Sequence, residues 1–273
     1  MVNILSVDLE SWVHANPALY SHLTSEERKE KDQSYIIKST KYLLDLFNQF
    51  NTRSTFFVVS EIFDWYPELI EQIREEGHEV AFHSRSHKII NNVNDFKSEI
   101  VKSKEFINTF MPKGFRAPFL NVKKEILYTL SEFGFEYDSS IYYHHPIAGF
   151  ADDINEIPIS FFNFRNARLS TINMPRHLTF TLLLQGFPYG SGYFMKLDRL
   201  IALLMRKSTY NHLFVHPWQI LRPKAYFMSK KYLIKNPHWF LYSFDITRSL
   251  SRILTKYRFS SIEHSIASEI IFK

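Results

Sequence analysis

Two histidines stand four residues apart in the stretch AFHSRSHK (81–88), with two serines and an arginine between them. If the stretch were helical, His83 and His87 would lie on one face, and two neutral imidazoles placed in this way can bind one divalent ion. The alternative is that both are polar residues near the end of a strand, since a chain with 12 histidines produces this spacing by chance. The spacing alone leaves both interpretations open.

Other side chains able to bind a metal or transfer a proton follow short apolar runs elsewhere in the chain. In parallel α/β folds, polar residues at the carboxyl ends of the strands line the functional site. Each such residue taken alone could be a helix cap, a turn or a surface charge, but their shared position favours a common site. They are Asp8, Glu10, His83, His87, Arg116, Asp138 and His216.

The elements that would position these residues alternate between apolar strands and amphipathic helices, which predicts a parallel sheet in an α/β domain. The predicted strands or extended segments are 2–7, 54–59, 78–83, 113–118, 135–140, 154–160, 167–174 and 211–217, and the predicted helices are 34–50, 60–77, 93–110, 123–134, 197–207 and 240–257. Ser60 is the predicted N-cap of one helix and Gly77 its predicted end. Because the sequence has no repeat, low-complexity tract or flexible linker, we predict one domain over 1–273 with an irregular lobe or loop at about 141–195.

The composition is that of a globular protein, and it restricts the chemistry. Hydrophobic residues make up 45% and charged residues 22% of the chain. The absence of cysteine excludes disulfides, thiol catalysis and thiolate zinc ligands, so a metal would need His, Asp or Glu. Aromatic residues reach 16%, which suits either a core rich in Phe or an aromatic groove for sugar rings.

The positive charge is concentrated toward the carboxyl end. Residues 191–260 hold 13 Lys and Arg against two Asp, a net +11, whereas residues 1–190 hold 19 Lys and Arg against 24 Asp and Glu, a net −5. The basic region could contact a membrane surface or a phosphate-linked carrier, or it could be an ordinary solvated face. Because the chain has no Lys/Arg run and no nucleic-acid-binding motif, we predict no nucleic-acid partner.

The sequence also predicts where the protein resides. Its first ten residues lack the pattern of a signal peptide, and no segment has the roughly 18 consecutive apolar residues that a membrane-spanning helix needs. We therefore expect a cytoplasmic protein, peripheral at the membrane if the basic region binds there.

Eight stretches spread over nearly the whole chain resemble the motifs of the polysaccharide deacetylase family, also known as the NodB-homology or carbohydrate esterase family 4 enzymes. The resemblance is to the branch whose first motif is S-V-D-x-E-x-W, and the stretches follow the family's order. They are SVDLESW (6–12), STFFVV (54–59), EEGHEVAFHSRSH (75–87), GFRAPF (114–119), YDSS (137–140), EIPIS (156–160), GSGYF (190–194) and FVHPW (214–218). The resemblance implies an α/β fold of the deformed (β/α)7 barrel type. It also implies removal of an N-acetyl group from an amino sugar in a polysaccharide or carrier-linked glycan precursor.

The resemblance further implies one divalent metal ion held by a carboxylate and two histidines. By position the ligands are Glu10, His83 and His87, because Leu9 interrupts the family's common pair of aspartates and Glu10 is the next carboxylate. Zinc is the predicted metal, and cobalt, nickel and iron suit the same ligand types. Such an ion polarises an amide carbonyl and lowers the pKa of bound water, to about 7 in favourable cases.

Carried over by position, Asp8 becomes the general base, Arg116 the arginine that holds it, and His216 the acid that protonates the leaving amine. A guanidinium beside Asp8 favours its ionised form, and histidine can donate a proton near neutral pH. The remaining role, orientation of His216, is assigned to Asp138.

On the substrate side, the resemblance implies that the backbone N–H of Phe119 donates to the oxyanion and that Phe214 and Trp218 wall the acyl pocket. Phe119 stands where the family commonly has Tyr, which matters little if only its backbone acts. Two other functions stay open: hydrolysis of a different non-peptide C–N bond, such as a deformylation or cyclic amide opening, and sugar binding without catalysis on the same scaffold. The presence of both a candidate base and a candidate acid disfavours the second.

Overall fold

A computed structural model of the protein describes residues 1–163, 186–223, 244–268 and 271. The strands in these ranges are β1 (Val2–Leu9), β2 (Thr55–Val58), β3 (Glu79–Phe82), β4 (Gly114–Phe115), β5 (Tyr137–Asp138), β6 (Tyr142–Tyr143), β7 (Ile147–Ala151), β8 (Ile154–Glu156), β9 (Ile159–Ser160), β10 (Phe162–Asn163), β11 (Gly186–Phe187) and β12 (Tyr210–Val215). The α-helices are α1 (Pro17–Tyr20), α2 (Ser25–Asp32), α3 (Tyr35–Gln49), α4 (Glu61–Trp65), α5 (Pro67–Glu75), α6 (Val93–Lys102), α7 (Lys104–Phe110), α8 (Lys124–Leu127), α9 (Asp198–Lys207), α10 (Thr247–Lys256) and α11 (Ile262–Ala267). Short 3₁₀ turns lie at Pro118–Leu120, Ser131–Phe133, Gly192–Leu197 and Pro217–Gln219.

Eight of the strands form one curled sheet in the order β12-β1-β2-β3-β4-β5-β8-β7. Seven of them run parallel, and β7 pairs antiparallel with β8 at the edge. This half-barrel confirms the predicted α/β class and the deformed barrel of about seven strands. The single domain over 1–273 stays a prediction.

The alternation of side chains along β1 explains how the sheet separates the core from the site. Leu5, Val7 and Leu9 point outward and join the large hydrophobic cluster under the helices. Ile4, on the opposite face, belongs to a second apolar cluster drawn from several strands together with Ile262 of α11. Asp8 shares the face of Ile4 but lies farther along the strand, so the polar site lies above this second apolar cluster.

The helices predicted over 60–77 and 93–110 are each divided in the structure, the second into α6 and α7. The helix predicted over 60–77 breaks between α4 and α5, because Pro67 disfavours helical geometry at the preceding Tyr66, whose φ is −149°. Ser60 does not cap α4 as predicted, since its hydroxyl pairs instead with the hydroxyl of Ser103 at 2.7 Å. Gly77 does end α5, in the left-handed region at φ +79°.

The segment between β1 and α3 holds two helices that the sequence patterns did not predict. Helix α2 has the sequence SEERKEKD, so it carries no apolar stripe to identify it, and its buried residues are both charged, Arg28 and Asp32. A capping box begins the helix: the Thr24 hydroxyl accepts from the Glu27 N–H, and the Glu27 carboxylate accepts from the Thr24 N–H. Helix α2 is therefore held by polar contacts and not by an apolar face.

The GSG stretch at 190–192 needs its glycines for close packing against β12. A Cβ on Gly190 would lie 2.3 Å from the carbonyl oxygen of His212, and one on Gly192 would lie 2.6 Å from that of Phe214. The Phe214 N–H donates to the Gly190 carbonyl at 2.8 Å, which brings the two backbones together. The stretch thus extends the sheet edge beside the candidate site.

The region predicted to be an irregular lobe contains short strand pairs where it is described. Strands β8 and β9 fall within the extended segment predicted over 154–160, whereas the one predicted over 167–174 lies outside the described residues. Within the described ranges, every helix is too short or too polar to cross a membrane.

The buried histidine His78 predicts a loss of stability on acidification. Its Nδ1 accepts from the Ser54 N–H at 3.1 Å, it packs against Phe56, and burial, helped by Arg53, lowers its pKa to about 4. The unfolded chain, with a pKa near 6.5 at this residue, binds the proton first, so stability is lost as the pH falls from about 6.5 to 4. We expect this group alone to remove about 3 kcal/mol of unfolding free energy over that interval.

Urea unfolding at several pH values between 7 and 4 checks this expectation. The variant His78→Asn, which keeps an acceptor for Ser54, should show a shallower decline than the wild-type protein. The matched control is His22→Asn at an exposed position, which should reproduce the wild-type curve. Equal slopes for His78→Asn and the wild type would contradict the assignment.

Candidate active site

A buried arginine lies at the centre of the polar cluster. Arg116 follows β4, is fully buried, and donates from Nη1 to Asp8 Oδ1 at 2.5 Å and to the Ser6 hydroxyl at 3.0 Å. Its Nε and Nη2 donate to the carbonyl and hydroxyl oxygens of Ser139, at 2.8 and 2.7 Å. Together with His212 of β12, residues of β1 and of the segment after β5 thus satisfy every N–H of the guanidinium.

His212 and two phenylalanines complete the surroundings of this guanidinium. The His212 Nδ1–H donates to the Pro158 carbonyl at 3.1 Å, so the Nε2 lone pair faces Arg116 Nη2 at 3.3 Å. The ring of Phe57 lies 4.0 Å from the guanidinium carbon, and that of Phe214 lies 5.4 Å from it. The aromatic faces stabilise a cation removed from solvent.

The ion pair sets the protonation state of Asp8. Burial alone would raise the pKa of this carboxyl, but Arg116, with smaller contributions from His83 and His216, holds the pKa below its ordinary value. Asp8 is therefore ionised at neutral pH. Its second oxygen, Oδ2, lies 3.9 Å from the Nε2 atoms of both histidines, where an ionised carboxylate can accept a proton.

Glu10 lies two residues after Asp8, and its side chain points to the same face of the sheet. Its Oε1 accepts from the Trp218 indole N–H at 3.2 Å and lies 3.3 Å from His216 Nε2. Its Oε2 lies 3.0 Å from His87 Nδ1, yet it has no hydrogen-bond partner among the described residues. Burial and the neighbouring Asp8 raise the pKa of Glu10 well above its ordinary value.

His83 and His87 come together through a tight turn and not through a helix face. His83 directly follows β3, the backbone is left-handed at Ser84 and His87, and the two ring centroids are 4.9 Å apart. The His83 Nδ1–H donates to the Arg116 carbonyl at 2.7 Å, and the His87 Nδ1–H lies 3.3 Å from the His14 carbonyl. Burial lowers the pKa of both rings, so both are neutral at pH 7.

The predicted metal ligands Glu10, His83 and His87 lie close together, but their side chains are not arranged as a metal coordination site. Glu10 contacts His87, and His87 contacts His83. Across the described ranges, no set of three or more His, Asp or Glu side chains is already arranged as a metal site. The ligand roles of these three residues stay predictions.

His216 lies across the cluster from the histidine pair. Its ring stacks on Trp218 with centroids 4.5 Å apart and on Tyr193 at 5.5 Å, and its Nδ1–H donates to Gln219 Oε1 at 3.2 Å. Nε2 therefore faces Asp8 and Glu10. Burial lowers the pKa of His216 to about 4, with Asp8 acting in the opposite direction.

The turn after Arg116 has an unusual backbone. Phe119 and Leu120 adopt consecutive left-handed conformations, with φ of +58° and +54°. Side chains rarely adopt such conformations, and they occur most often where a site requires the backbone to point in a fixed direction. The Phe119 ring also packs on His87, with centroids 4.4 Å apart.

Asp138 has different neighbours from those its predicted role requires. Its carboxylate accepts from the N–H and the hydroxyl of Ser140, at 3.0 and 2.7 Å. Glu156 lies against it, and burial together with Asp138 raises the pKa of Glu156 well above its ordinary value, so this pair is held partly protonated. The side chain that contacts His216 Nδ1 is Gln219 and not Asp138.

A second polar chain, not predicted from the sequence, supports the loop after β1. Arg28 of α2 donates from Nη2 to Glu61 Oε1 at 2.6 Å and from Nε to Oε2 at 3.0 Å. The His14 Nε2–H donates to Glu61 Oε2 at 2.8 Å, because the Ser11 N–H occupies Nδ1. The His14 carbonyl in turn accepts from His87. No spacing signal joins residues this far apart in sequence, so only the fold reveals the chain.

Part of the chain is similar to known proteins. The family model described as polysaccharide deacetylase matches residues 32–137, which include His83, His87 and Arg116. A peptidoglycan-N-acetylglucosamine deacetylase of Bacillus cereus is 28% identical over 116 residues, which are 40% of this chain and 42% of that protein. Both matches support a relationship of this part of the chain to the polysaccharide deacetylase family.

Solved structures of similar shape agree on the fold. A Mycobacterium smegmatis protein assigned to the polysaccharide deacetylases superposes with a TM-score of 0.62 and 19% identity, over 99% of this chain and 91% of that chain. A carbohydrate esterase family 4 pseudoenzyme of Bacillus anthracis superposes with a TM-score of 0.52 and 11% identity, over 96% and 64%. At these identities the likeness concerns the fold alone. The chain also spans less than half the length of the curated relatives it matches.

The buried Arg116–Asp8 pair predicts a large stability effect. Replacing Arg116 by Met leaves the Asp8 carboxylate buried without its partner, and we expect a loss of about 3–5 kcal/mol of unfolding free energy. The change Asp8→Asn in the same background should recover part of that loss, because it removes the unpaired charge. Urea unfolding at pH 7 measures both values.

The matched control is Lys113→Met, which removes one cation from an exposed ion pair with Glu136. We expect that variant to lose less than about 1 kcal/mol. Similar losses for Arg116→Met and Lys113→Met would show that the buried pair is not a main determinant of stability.

Proposed function

We propose that the protein is a metal-dependent hydrolase that removes the N-acetyl group from an amino sugar in a polysaccharide or carrier-linked glycan precursor. The observation that carries this proposal is the convergence of Asp8, Glu10, the histidine pair and His216 at the carboxyl ends of β1, β3 and β12. The match of residues 32–137 to the polysaccharide deacetylase family model supports the same reaction type. The predicted cytoplasmic location remains part of the proposal.

The side chains present fit a divalent cation in their donor chemistry. The lowered pKa values of His83 and His87 keep both imidazoles neutral, which is the form that binds metals. Glu10 Oε2 is buried with no hydrogen bond among the described residues, so this oxygen is available to a cation. Glu10, His83 and His87 would hold the ion, with zinc preferred and cobalt, nickel or iron as alternatives. When bound, the ion would polarise the acetamide carbonyl and acidify a water molecule.

Asp8 is suited to the role of base in this reaction. Water adds across the amide C–N bond and yields acetate and the free amine, so one proton must leave the water and one must reach the amine nitrogen. Asp8 stays ionised because Arg116 binds Oδ1, which leaves Oδ2 to accept the proton of the attacking water. The backbone N–H of Phe119, fixed by its left-handed turn, would donate to the oxyanion.

His216 is suited to the opposite task. Its Nδ1–H is bound to Gln219, so a proton added at Nε2 faces the cluster and can be delivered to the leaving nitrogen. The carboxylate of Asp8 favours that protonated form against the effect of burial. Phe214 contacts the His216 ring edge-on at 5.3 Å and Trp218 stacks on it, so both can exclude water from the acetyl group.

The competing functions differ in specific observations. A hydrolase of another C–N bond would use the same base and acid, so substrate profiling separates it from a deacetylase. A Bacillus anthracis protein of this fold is a pseudoenzyme, so a protein without activity on this scaffold has a precedent. The retention of Asp8, its arginine and His216 in one cluster disfavours sugar binding without catalysis, because binding needs neither a base nor an acid.

Acetate release from chitooligosaccharides tests the proposal. The protein is stripped with a chelator and reloaded with zinc or cobalt, and we expect activity only after reloading. Alanine at His216 should lower turnover about 10²–10⁴-fold while one metal per chain remains bound, since its role is proton transfer. Alanine at His83 should instead lower the metal content measured by elemental analysis.

The control variant is His264→Ala, an exposed histidine on α11, which should match the wild type in both measurements. Loss of metal from His216→Ala would show that its role has been misassigned. Metal binding without acetate release from any N-acetylated sugar would favour the binding protein. Activity on neutral oligosaccharides but none on phosphorylated or lipid-linked ones would contradict the carrier-linked substrate.

A further inference from the structure

One face of α9 and the turn before it exposes leucines to solvent. Leu197, Leu200 and Leu203 are 47%, 41% and 48% exposed. The opposite face of the helix already packs into the core through Ile201 and Met205, so the exposed leucines are not needed for folding. Single exposed leucines are common, but three within seven residues on one helical face are characteristic of a contact surface.

The same face is strongly basic. Four exposed cations are interleaved with the leucines: Lys196, Arg199, Arg206 and Lys207. The one acidic residue in the stretch, Asp198, is buried and accepts from Arg252 of α10 at 3.0 Å. We refer to the leucines and cations of residues 196–207 as the α9 face.

The neighbouring helix α10 extends the positive charge. It packs beside α9, where the Tyr257 hydroxyl donates to the Ala202 carbonyl at 2.8 Å. Its exposed side carries Arg248, Arg252 and Lys256, whereas Leu250 and its other apolar residues are buried. Two adjacent helices thus present cations to one side of the molecule, with leucines confined to the α9 face.

We propose that the α9 face binds the surface of an anionic phospholipid bilayer. A helix with leucines for the acyl boundary and flanking Lys and Arg for the headgroups has the composition of an interfacial helix. Cations near an anionic membrane each favour binding by about a fivefold factor, from roughly 1 kcal/mol per residue. A protein partner of the same affinity would need acidic groups placed opposite every cation, whereas a lipid surface offers negative charge at any position.

A short turn of the chain links the α9 face to the candidate active site. The turn Gly192–Leu197 joins Tyr193, which stacks on His216, to the first exposed leucine four residues later. A protein bound through this face would hold its site beside the lipid headgroups. In that position, and resting on the proposed function, an amino sugar linked to a lipid carrier would be within reach.

Vesicle co-sedimentation tests the proposal with the full chain and no sugar present, so its result does not depend on the deacetylase activity. We expect binding to vesicles of equal amounts of phosphatidylcholine and phosphatidylglycerol, and weak binding to phosphatidylcholine alone. Raising the salt from about 0.05 M to about 0.5 M should weaken the binding, because screening shortens the reach of the charges. The variant Arg199→Glu/Arg206→Glu should bind at least about 30-fold more weakly, and Leu200→Ser/Leu203→Ser about tenfold more weakly.

Matched controls place the same changes on another surface. Lys97→Glu/Lys104→Glu makes the same change in net charge on α6 and α7, and Val101→Ser/Met111→Ser removes two more fully exposed apolar side chains. Both controls should bind within about twofold of the wild type.

Equal loss in the controls, or no binding of the wild type to anionic vesicles, would overturn the proposal. So would a concentration-dependent dimer, seen by light scattering, that Leu200→Ser/Leu203→Ser dissociates, because the leucines would then meet a second copy of the chain. Circular dichroism of each variant verifies that a loss of binding is not a loss of fold.

Discussion

The buried ion pair between Asp8 and Arg116 constrains the rest of the site. An arginine without solvent must satisfy every N–H internally, and here the partners come from β1, β12 and the segment after β5. The relative positions of these strands are therefore fixed by the same contacts that fix the carboxylate. A displacement of any of them would leave a charge or a donor buried and unpaired, which is far more costly than losing a surface contact. The stability of the fold and the ionised state of Asp8 depend here on one interaction.

The site is built in layers along the inner face of the sheet. Ile4 and its apolar neighbours lie at the bottom of the site. The neutral side chains of Ser6 and His212 lie above them and contact the Arg116 guanidinium. Asp8 and Glu10 lie farther along the chain, above this layer. Because the two carboxyls lie at different heights, Arg116 reaches only the lower one. The environments push their pKa values in opposite directions, one below and one above the ordinary range. Two carboxyl groups two residues apart thus differ in charge, because Asp8 is held ionised whereas Glu10 favours its neutral form.

Much of the fold followed from the sequence because its strands are apolar and its motifs stand at their ends. The parallel sheet, the main helices and the grouping of Asp8, Arg116 and His216 needed only periodicity, turn residues and the family resemblance. The partners of those residues could not be predicted in this way. Gln219 beside His216 and His14 beside Glu61 are contacts between side chains whose meeting depends on loop geometry. Helix α2 carries no apolar stripe, so hydrophobic periodicity could not predict it.

The attachment of α2 to the site has a consequence for how activity is lost. The buried residues of this helix are Arg28 and Asp32, and Arg28 forms a salt bridge with Glu61. The Glu61 carboxylate also accepts from His14, and the backbone carbonyl of His14 accepts from His87. A segment held by polar contacts opens more readily than a sheet held by packed Leu, Ile and Phe. Heat inactivation should therefore precede global melting, and amide hydrogens of residues 25–32 should exchange with solvent well before those of β1.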